Sequence, residues 1–336
     1  MDIIKQVIGS DISKDTFVSR YGTIDIQQNQ QITESVTFAN NLKGFRELMS
    51  YAKKKRGKSK APLYFVMEAT GVYYENLAYF LDEKHQKVIV LLPNKTKNYA
   101  KTLDIKSKTD SLDSRMITQF ALERQIQTWK VPSPLMKAIK ALTREYNSKK
   151  EMAAQVKNQL HAKEYSHEPL KESLMRSQAI LSVFEKQIKE IENQIRELVN
   201  QDDDLNDRIN KIDKIEGVGF MTIVSIISET NGFALIENAK QLASYAGLDV
   251  AYNESGLKKH KPAISKKGNK YLRKAVYMPA LSACRYNPKL RDFYNRLVIK
   301  KGIKKVALIA VARKLLLLIY TIFRKNVDYV PNYNPS

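Results

Sequence analysis

The chain has 336 residues, 43% of them hydrophobic, which is long enough and apolar enough for two or three domains with real cores. Its 57 Lys and Arg against 35 Asp and Glu give a formal charge of +22, more than solubility requires, and point to a polyanionic partner, nucleic acid first. One cysteine, Cys284, excludes an internal disulfide, and with only four scattered histidines it also excludes a Cys/His zinc site of ordinary spacing.

The opening "MDIIKQVIGSDISKD" lacks the charged start and apolar core of a secretory signal, so the expected location is a bacterial-type cytosol. Residues 4–12, 17–28 and 31–38 are short β-prone runs divided by polar or glycine-bearing breaks, which predicts three antiparallel strands. Leu42, Phe45, Leu48, Met49 and Ala52 then recur at helical spacing. The runs "LYFVME" (63–68) and "KVIVLLP" (87–93) are continuously apolar, as strands buried on both faces are, and "YYENLAYFLDEK" between them has a helical period. The predicted order is βββαβαβα, closing on a helix that carries Asp110 and Asp113. A meander followed by alternating units gives a mixed sheet flanked by helices, the order of a ribonuclease H-like α/β domain.

From about residue 135 to 200 the pattern changes to long polar helices. Phe184, Ile188, Ile191, Ile195 and Leu198 step by four, three, four and three, an a/d seam, and Pro169 parts them from an earlier helix around Met152, Val156 and Leu160. A helical hairpin or a dimerising coiled coil fits this spacer; a packed helix pair within one chain is the plainer alternative. The acidic "NQDDDLND" (200–207) reads as a linker, and Trp129 before "VPSP" as a linker anchor. Residues 208–330 read as a second compact region, helical apart from glycine-bearing turns. In it "VALIAVARKLLLLIYTIF" is interrupted by Arg313 and Lys314, so it is expected to be a buried helix and not a membrane span. The expected domains are therefore 1–130, 131–207 and 208–330.

Asp11 ends the first strand pattern, Glu68 ends "FVME", and Asp110 and Asp113 share a helix face three residues apart. Ends of neighbouring strands meet at one sheet edge, so the four carboxylates are expected to converge. Like charges within about 4–6 Å raise one another's pKa. A hard divalent cation, Mg²⁺ or Mn²⁺, relieves that repulsion, and two such ions can stabilise the attacking and leaving oxygens of phosphodiester cleavage. Lys106, Lys108 and Arg115 beside them suit a phosphate backbone.

Residues 256–274 hold eight basic residues and no acid: Lys258, Lys259, Lys261, Lys266, Lys267, Lys270, Arg273 and Lys274. Their density points to nucleic acid. Tyr271 and Tyr277 among them are expected to pack in a helix more than to stack on bases. Gly217 and Gly219 of "IEGVGFMT" resemble the hairpin of a helix-hairpin-helix module, in which backbone N–H groups approach phosphate; a tight interhelical turn is an equal alternative.

"IGSDISKDTF", "VMEATGVYYENLA" and "KTDSLDSRM" resemble, in order and spacing, the motifs of the DEDD transposases of insertion sequences, relatives of the Piv DNA invertases. "IEGVGFMTIVSIISE", "FALIENAKQLASYAGLD", "NESGLKKHKPAISKKGNKYLRKAVY" and "NPKLRDFYNRLVIKKGIKKVALIAVARKLL" follow that family's C-terminal transposase domain, with Val250 standing where the family often has proline. The resemblance implies a RuvC-like N-terminal domain, a helical coiled-coil spacer and a mainly helical C-terminal domain. It implies excision and insertion of an element's DNA, directed by a bridge RNA that pairs with donor and target, in a homodimer or dimer of dimers. It implies Mg²⁺ on Asp11, Glu68, Asp110 and Asp113, and a covalent phosphoserine on Ser255 of "NESG".

A serine hydroxyl needs a base or metal to activate it, and His260 is the one histidine at short spacing, so metal activation is favoured over a hydrolase triad. An isolated Ser-Gly is otherwise a turn. Ser265 in "AISKKGNK" is the rival serine, read as a helix cap or phosphate contact. The competing functions are a hydrolytic nuclease resembling a Holliday-junction resolvase, and a catalytically silent nucleic-acid binder.

Overall fold

The structure, a computed structural model, describes residues 2–69, 71–102, 110–234, 236–251, 254–255, 258–259 and 263–331, with the backbone alone at Pro93, Asn94, Lys97, Asp110, Ser111, Ala251, Glu254, Ser255, Lys258 and Lys259. Lys106, Lys108 and Lys261 lie outside the described residues. The chain divides into two compact units, Met1–Val131 and Pro132–Ser336.

The first unit runs β1 (Ile3–Ile12), β2 (Thr16–Asp25), β3 (Gln30–Ile32), β4 (Val36–Ala39), α1 (Leu42–Arg56), β5 (Leu63–Glu68), α2 (Glu75–Glu83), β6 (Lys87–Leu91), α3 (Pro93–Thr102) and α4 (Asp110–Glu123). The sheet order is β3-β2-β1-β5-β6, with β4 also pairing β2. β1 is antiparallel to β2 and parallel to β5, and β6 is parallel to β5. The sheet is mixed, as expected. The run expected as a single strand over 31–38 is two short strands, because Thr33, Glu34 and Ser35 stand opposite only two residues of β2, between the pairs Gly22↔Ile32 and Ser19↔Val36, and break the register. The run "KVIVLLP" pairs only to Leu91, since its proline opens α3, a helix too polar for its period to be visible in the sequence.

Alternation along the strands sends side chains to two cores. On one face Ile8, Ile12, Phe17, Phe65 and Met67 pack under Phe45 and Leu48 of α1 and Leu77 and Leu81 of α2. On the other, Val7, Ile24, Val66 and Ile89 pack under Ile117, Ala121 and Leu122 of α4. Trp129 anchors the end of this unit: its backbone N–H donates to the Val88 carbonyl at 2.8 Å and its ring meets Tyr79 edge-on at 5.2 Å.

The second unit runs α5 (Pro134–Glu164), α6 (Lys171–Asn200), α7 (Asp203–Asp213), α8 (Phe220–Glu229), α9 (Ala239–Tyr245), β7 (Val250–Ala251), β8 (Glu254–Ser255), β9 (Lys258–Lys259), β10 (Ala263–Ile264), α10 (Lys270–Tyr286), α11 (Pro288–Lys301) and α12 (Lys304–Lys325). Ser133 caps α5, accepting from the Met136 N–H at 3.1 Å, and a proline takes the first helical position. α5 and α6 fold back on each other as a hairpin. At its inner end Ile191, Ile195 and Val199 are buried with Ile139 and Tyr146 in the core of the whole unit. At its outer end Met175 and Val183 are exposed. The acidic run expected as a linker is instead a helix start: Asp202 caps Leu205 at 3.0 Å, and Asp203 and Asp204 lie in the first turn of α7, where the helix dipole favours negative charge.

α12 is the centre of this unit. It is long and apolar enough to cross a membrane by length and composition, yet Val311, Leu315, Leu316 and Ile319 are buried against α7, α9, α10 and α11. Arg313, half-buried, and Lys314, exposed, lie mid-helix on its outer side, between the buried pairs Val311–Ala312 and Leu315–Leu316.

Candidate functional site

The carboxylate edge is built by strand register. β1 and β5 pair in parallel from Gln6↔Leu63 to Ser10↔Met67, so Asp11 and Glu68 occupy the next position of each strand, side by side at the C-terminal edge of the sheet. Both lie on the face covered by α4, two residues beyond Gly9 and Val66. Ends of parallel strands are where α/β sheets carry their sites.

Two glycines bring α4 down onto that face. A Cβ on Gly9 would lie 2.6 Å from the Thr118 backbone nitrogen, and one on Gly22 would lie 2.6 Å from the Thr118 methyl carbon. Further along α4, the Ala121 and Arg124 carbonyls accept from Lys5 Nζ, the latter at 2.7 Å, so α4 runs antiparallel to β1. One turn back from Thr118, about 6 Å, is the buried Ser114. Asp11 is about 6–7 Å beyond Gly9 along its strand. The first turn of α4, with Asp113 and the backbone of Asp110, therefore comes level with Asp11 and Glu68.

Glu68 is oriented by α3. Its Oε2 accepts from the hydroxyl of Thr96, which is 1% exposed, a contact with no sequence signal because Thr96 lies in a mostly polar helix. Among the described residues no group of three or more His, Cys, Asp or Glu stands close enough to hold a metal ion; the side chain of Asp110, the remaining carboxylate, is outside that description. The donor chemistry fits a hard divalent cation, being carboxylate oxygen throughout. Arg115 is exposed, on α4 two residues past Asp113.

In the second unit Ser255 lies on an arm. The root of the arm is the antiparallel pair β7–β10, with Val250 opposite Ile264 and Ala251 opposite Ala263. Its outer part is β8–β9, with Ser255 opposite Lys258 and Glu254 opposite Lys259. Below the root the Ser265 N–H donates to the Asp249 carbonyl at 2.9 Å and the Asn269 N–H to the Tyr245 carbonyl at 2.7 Å. The Ser265 hydroxyl bonds the Asp249 carboxylate and also accepts from the Lys267 N–H at 3.3 Å. It is not the helix cap. That role belongs to Asn269, whose Oδ1 accepts from Tyr271 at 2.9 Å and Leu272 at 3.0 Å.

A buried carboxylate pins the same root, and the sequence reading missed it. Glu229, 3% exposed at the end of α8, accepts from Arg144 of α5 at 2.6 and 3.1 Å and from the Asn269 amide at 2.7 Å, with Lys140 at 3.9 Å. Tyr245 donates to its backbone carbonyl at 3.2 Å. Burial pushes the Glu229 carboxyl up, but the Arg144 and Asn269 hydrogen bonds and the neighbouring cations outweigh it and hold the pKa below its usual 4.5. The available signal was a single acid closing the apolar helix "FMTIVSIISE".

The basic residues near the arm divide into two sets. Lys266, Lys267 and Lys270 are exposed. Arg273 instead donates to the Ala246 carbonyl at 2.8 Å and Lys274 pairs with Glu151, so both serve the unit's own packing. Tyr271 lies beneath the Arg144 guanidinium, 4.5 Å from ring centre to Cζ, and Tyr277 packs against the core. Gly217, at φ +88°, is turned against α10, where a Cβ would meet the Ala283 nitrogen at 2.6 Å, so packing explains this glycine. Gly219 precedes α8 with open space where its Cβ would be.

With this geometry in hand, comparisons with known proteins agree on a class. A family model described as "Transposase" matches residues 8–163, and one described as "Transposase IS116/IS110/IS902 family" matches 209–295. The pilin gene-inverting protein of Moraxella lacunata is 32% identical over 330 residues, 96% of this chain and 97% of that protein. Its counterpart from Moraxella bovis is 31% identical over the same shares. A solved Ppx/GppA family structure from Aquifex aeolicus aligns with 96% of this chain and 92% of that one at 8% identity, but a TM-score of 0.22 carries no argument about fold.

Proposed function

Since this chain belongs to the IS110 family of transposases, and DNA is accordingly its partner, we propose that it exchanges DNA strands through a serine-linked intermediate at a RuvC-like carboxylate site. The observation that carries this reading is the sheet edge, where register sets Asp11 beside Glu68 and glycine-tight packing brings the Asp113 turn of α4 level with them. The strand order β3-β2-β1-β5-β6, an antiparallel meander continued by parallel strands, supports a ribonuclease H-like, RuvC-like domain. The DNA-inverting activity named for the Moraxella relatives supports strand exchange over plain hydrolysis.

In this reading Asp11, Glu68, Asp110 and Asp113 hold Mg²⁺ or Mn²⁺, with Thr96 fixing the Glu68 carboxylate. The metal, when bound, lowers the pKa of a coordinated hydroxyl and polarises a phosphoryl oxygen. The Ser255 hydroxyl gives up its proton, its Oγ bonds to phosphorus, and one bridging P–O bond breaks to leave a DNA hydroxyl that takes a proton. Attack on the phosphoserine by the hydroxyl of another strand reverses these changes and frees the serine. Bond number is conserved throughout, so no high-energy cofactor is required.

Ser255 and the carboxylates belong to different units, and this reading requires them to meet, within one chain or across a homodimer or dimer of dimers. The α5–α6 hairpin is the coiled-coil spacer of that assembly. A bridge RNA supplies the choice of donor and target, with the exposed Lys266, Lys267 and Lys270 and the backbone at Gly219 contacting phosphates.

The test uses the full chain, RNA transcribed from the sequence flanking its gene, Mg²⁺ and end-labelled element-junction DNA, resolved on a denaturing protein gel. Label is expected to travel with wild type and to be absent from Ser255→Ala and Asp110→Ala. Cleavage without a protein-bound label, undiminished in Ser255→Ala, would replace this reading with a metal-dependent nuclease.

A further inference from the structure

Half of the chain's net charge sits in one stretch near its C-terminal end, beyond the basic run at 256–274. Between residues 285 and 325 there are twelve Lys and Arg and one acid, Asp292, a net of eleven out of the total of +22. These residues form the end of α10, all of α11 and all of α12.

On α7, Arg208 meets Asp204 at 2.7 Å and Lys211 meets Asp207 at 2.6 Å, while Lys214 just beyond it meets Asp328 at 2.6 Å. On α11 and α12 cations are gathered close to one another. Lys289, Phe293, Arg296 and Lys300 fall at steps of four, three and four, which places them on one stripe of α11. From α12, Lys314 Nζ comes to 4.6 Å from the centre of the Phe293 ring, and the Arg296 guanidinium lies 5.6 Å from the same centre. Burial lowers the Lys314 pKa, and the charges of Arg296 and Lys289 lower it further. The turn joining the two helices adds Lys300, Lys301, Lys304 and Lys305 around Gly302. Lys304 and Lys305 open α12, the end where the helix dipole disfavours positive charge.

Like charges gathered this way cost stability, so the arrangement is explained by an anionic partner that relieves it. The stripe from Lys289 to Lys300 is about 16 Å long at 1.5 Å per residue, enough to follow several phosphates of a strand spaced about 3.4 Å apart along the axis. We propose that the α11–α12 face is a second DNA-holding surface, which grips the phosphate backbone of duplex DNA away from the serine arm. Sequence plays no part in such contacts, which set position and not specificity. The chief rival partner is an anionic lipid surface, because Ile299 is 87% exposed beside the stripe.

The experiment measures duplex binding by fluorescence anisotropy across a salt series, with the full chain and without requiring cleavage. The variant Lys289→Gln/Arg296→Gln/Lys300→Gln/Lys314→Gln is compared with wild type and with a charge-matched control, Lys53→Gln/Lys54→Gln/Lys157→Gln/Lys189→Gln. At about 0.15 M salt the stripe variant is expected to bind at least about tenfold more weakly, and its log–log salt slope to flatten by about 3.6, near 0.9 for each of the four phosphate contacts. The control is expected to keep both values. A slope unchanged in the stripe variant, or equal losses in the control, overturns the proposal. So does a loss confined to structured RNA, or to phosphatidylserine vesicles, with duplex binding intact.

Should the fourfold variant not fold, Lys300→Gln/Lys304→Gln at the exposed turn is expected to flatten the slope by about 2, and no change there overturns the proposal. Each measurement is repeated in the Ser255→Ala background. If the chain with Ser255 intact forms no covalent adduct while the stripe variant still loses slope, the serine assignment alone fails.

Discussion

Asp11 and Glu68 stand on strands that are paired on both sides, β1 between β2 and β5, and β5 between β1 and β6. Ser255 stands on a two-residue strand whose ladder partner among the described residues is β9. The carboxylates are placed by the backbone of a regular sheet and by a helix seated on glycine. The serine is placed by the root of an arm, where Glu229, Arg144, Asn269 and Tyr245 join α5, α8, α9 and α10. Sheet register alone is enough to fix an edge, whereas a short arm needs polar side chains from distant elements to give it a direction. Side chains around the two regions should therefore fail differently when altered.

The largest effect is expected where the serine arm is rooted. Glu229→Ala leaves the Arg144 guanidinium without its carboxylate and should cost about 3–5 kcal/mol, borne by the second unit. Hydrogen exchange is the measurement: protection falls in α5, α8 and α10 and is kept in β1, β2 and β5. Equal loss in the sheet would erase the contrast between the regions. Next comes Gly9→Ala, which forces a methyl into the Thr118 backbone and should cost about 1–3 kcal/mol in the first unit, together with Mg²⁺-dependent cleavage, while duplex binding persists.

Acid sharpens the comparison. The Glu229 pKa is depressed on folding, so its stabilisation is complete above its usual 4.5 and is lost as pH falls through the lower folded value. The unfolding midpoint of the second unit should drop over that range in wild type and drop less in Glu229→Gln. The smallest effect is expected from Thr96→Val, which removes the donor to Glu68 for about 1 kcal/mol. It should slow adduct formation several-fold at saturating DNA with little change in the unfolding midpoint. A variant as fast as wild type would mean that the strand alone orients Glu68.

Much of the carboxylate edge was legible because it follows from period and order. Continuous apolar runs marked β5 and β6, and a carboxylate at the end of each of β1 and β5 pointed to one edge. What escaped was whatever depends on side chains meeting across the fold. Thr96 lies in a helix with no apolar stripe, and Arg144 and Glu229 are 85 residues apart. The acids at 202–204 read as a linker because composition alone does not separate a solvated loop from a helix start; the Asp202 cap decides it. Gly217 and Arg273 sat in motifs that suggest phosphate, but close helix packing and a nearby carbonyl use them. The basic stripe of α11 was hidden because its cations are spread at helical intervals and not in a run.

The central position of α12 has a consequence for synthesis. All the strands and helices of the first unit have been made once the ribosome reaches residue 131, so that unit can close while translation continues. The second has no such early point. Until residue 325 is made, the apolar surfaces of α7, α9, α10 and α11 that α12 covers stand open to water and to other chains. Nascent second units should therefore be the chaperone-dependent part of this protein, and truncation anywhere within α12 should give aggregates even though every candidate catalytic residue has already been translated.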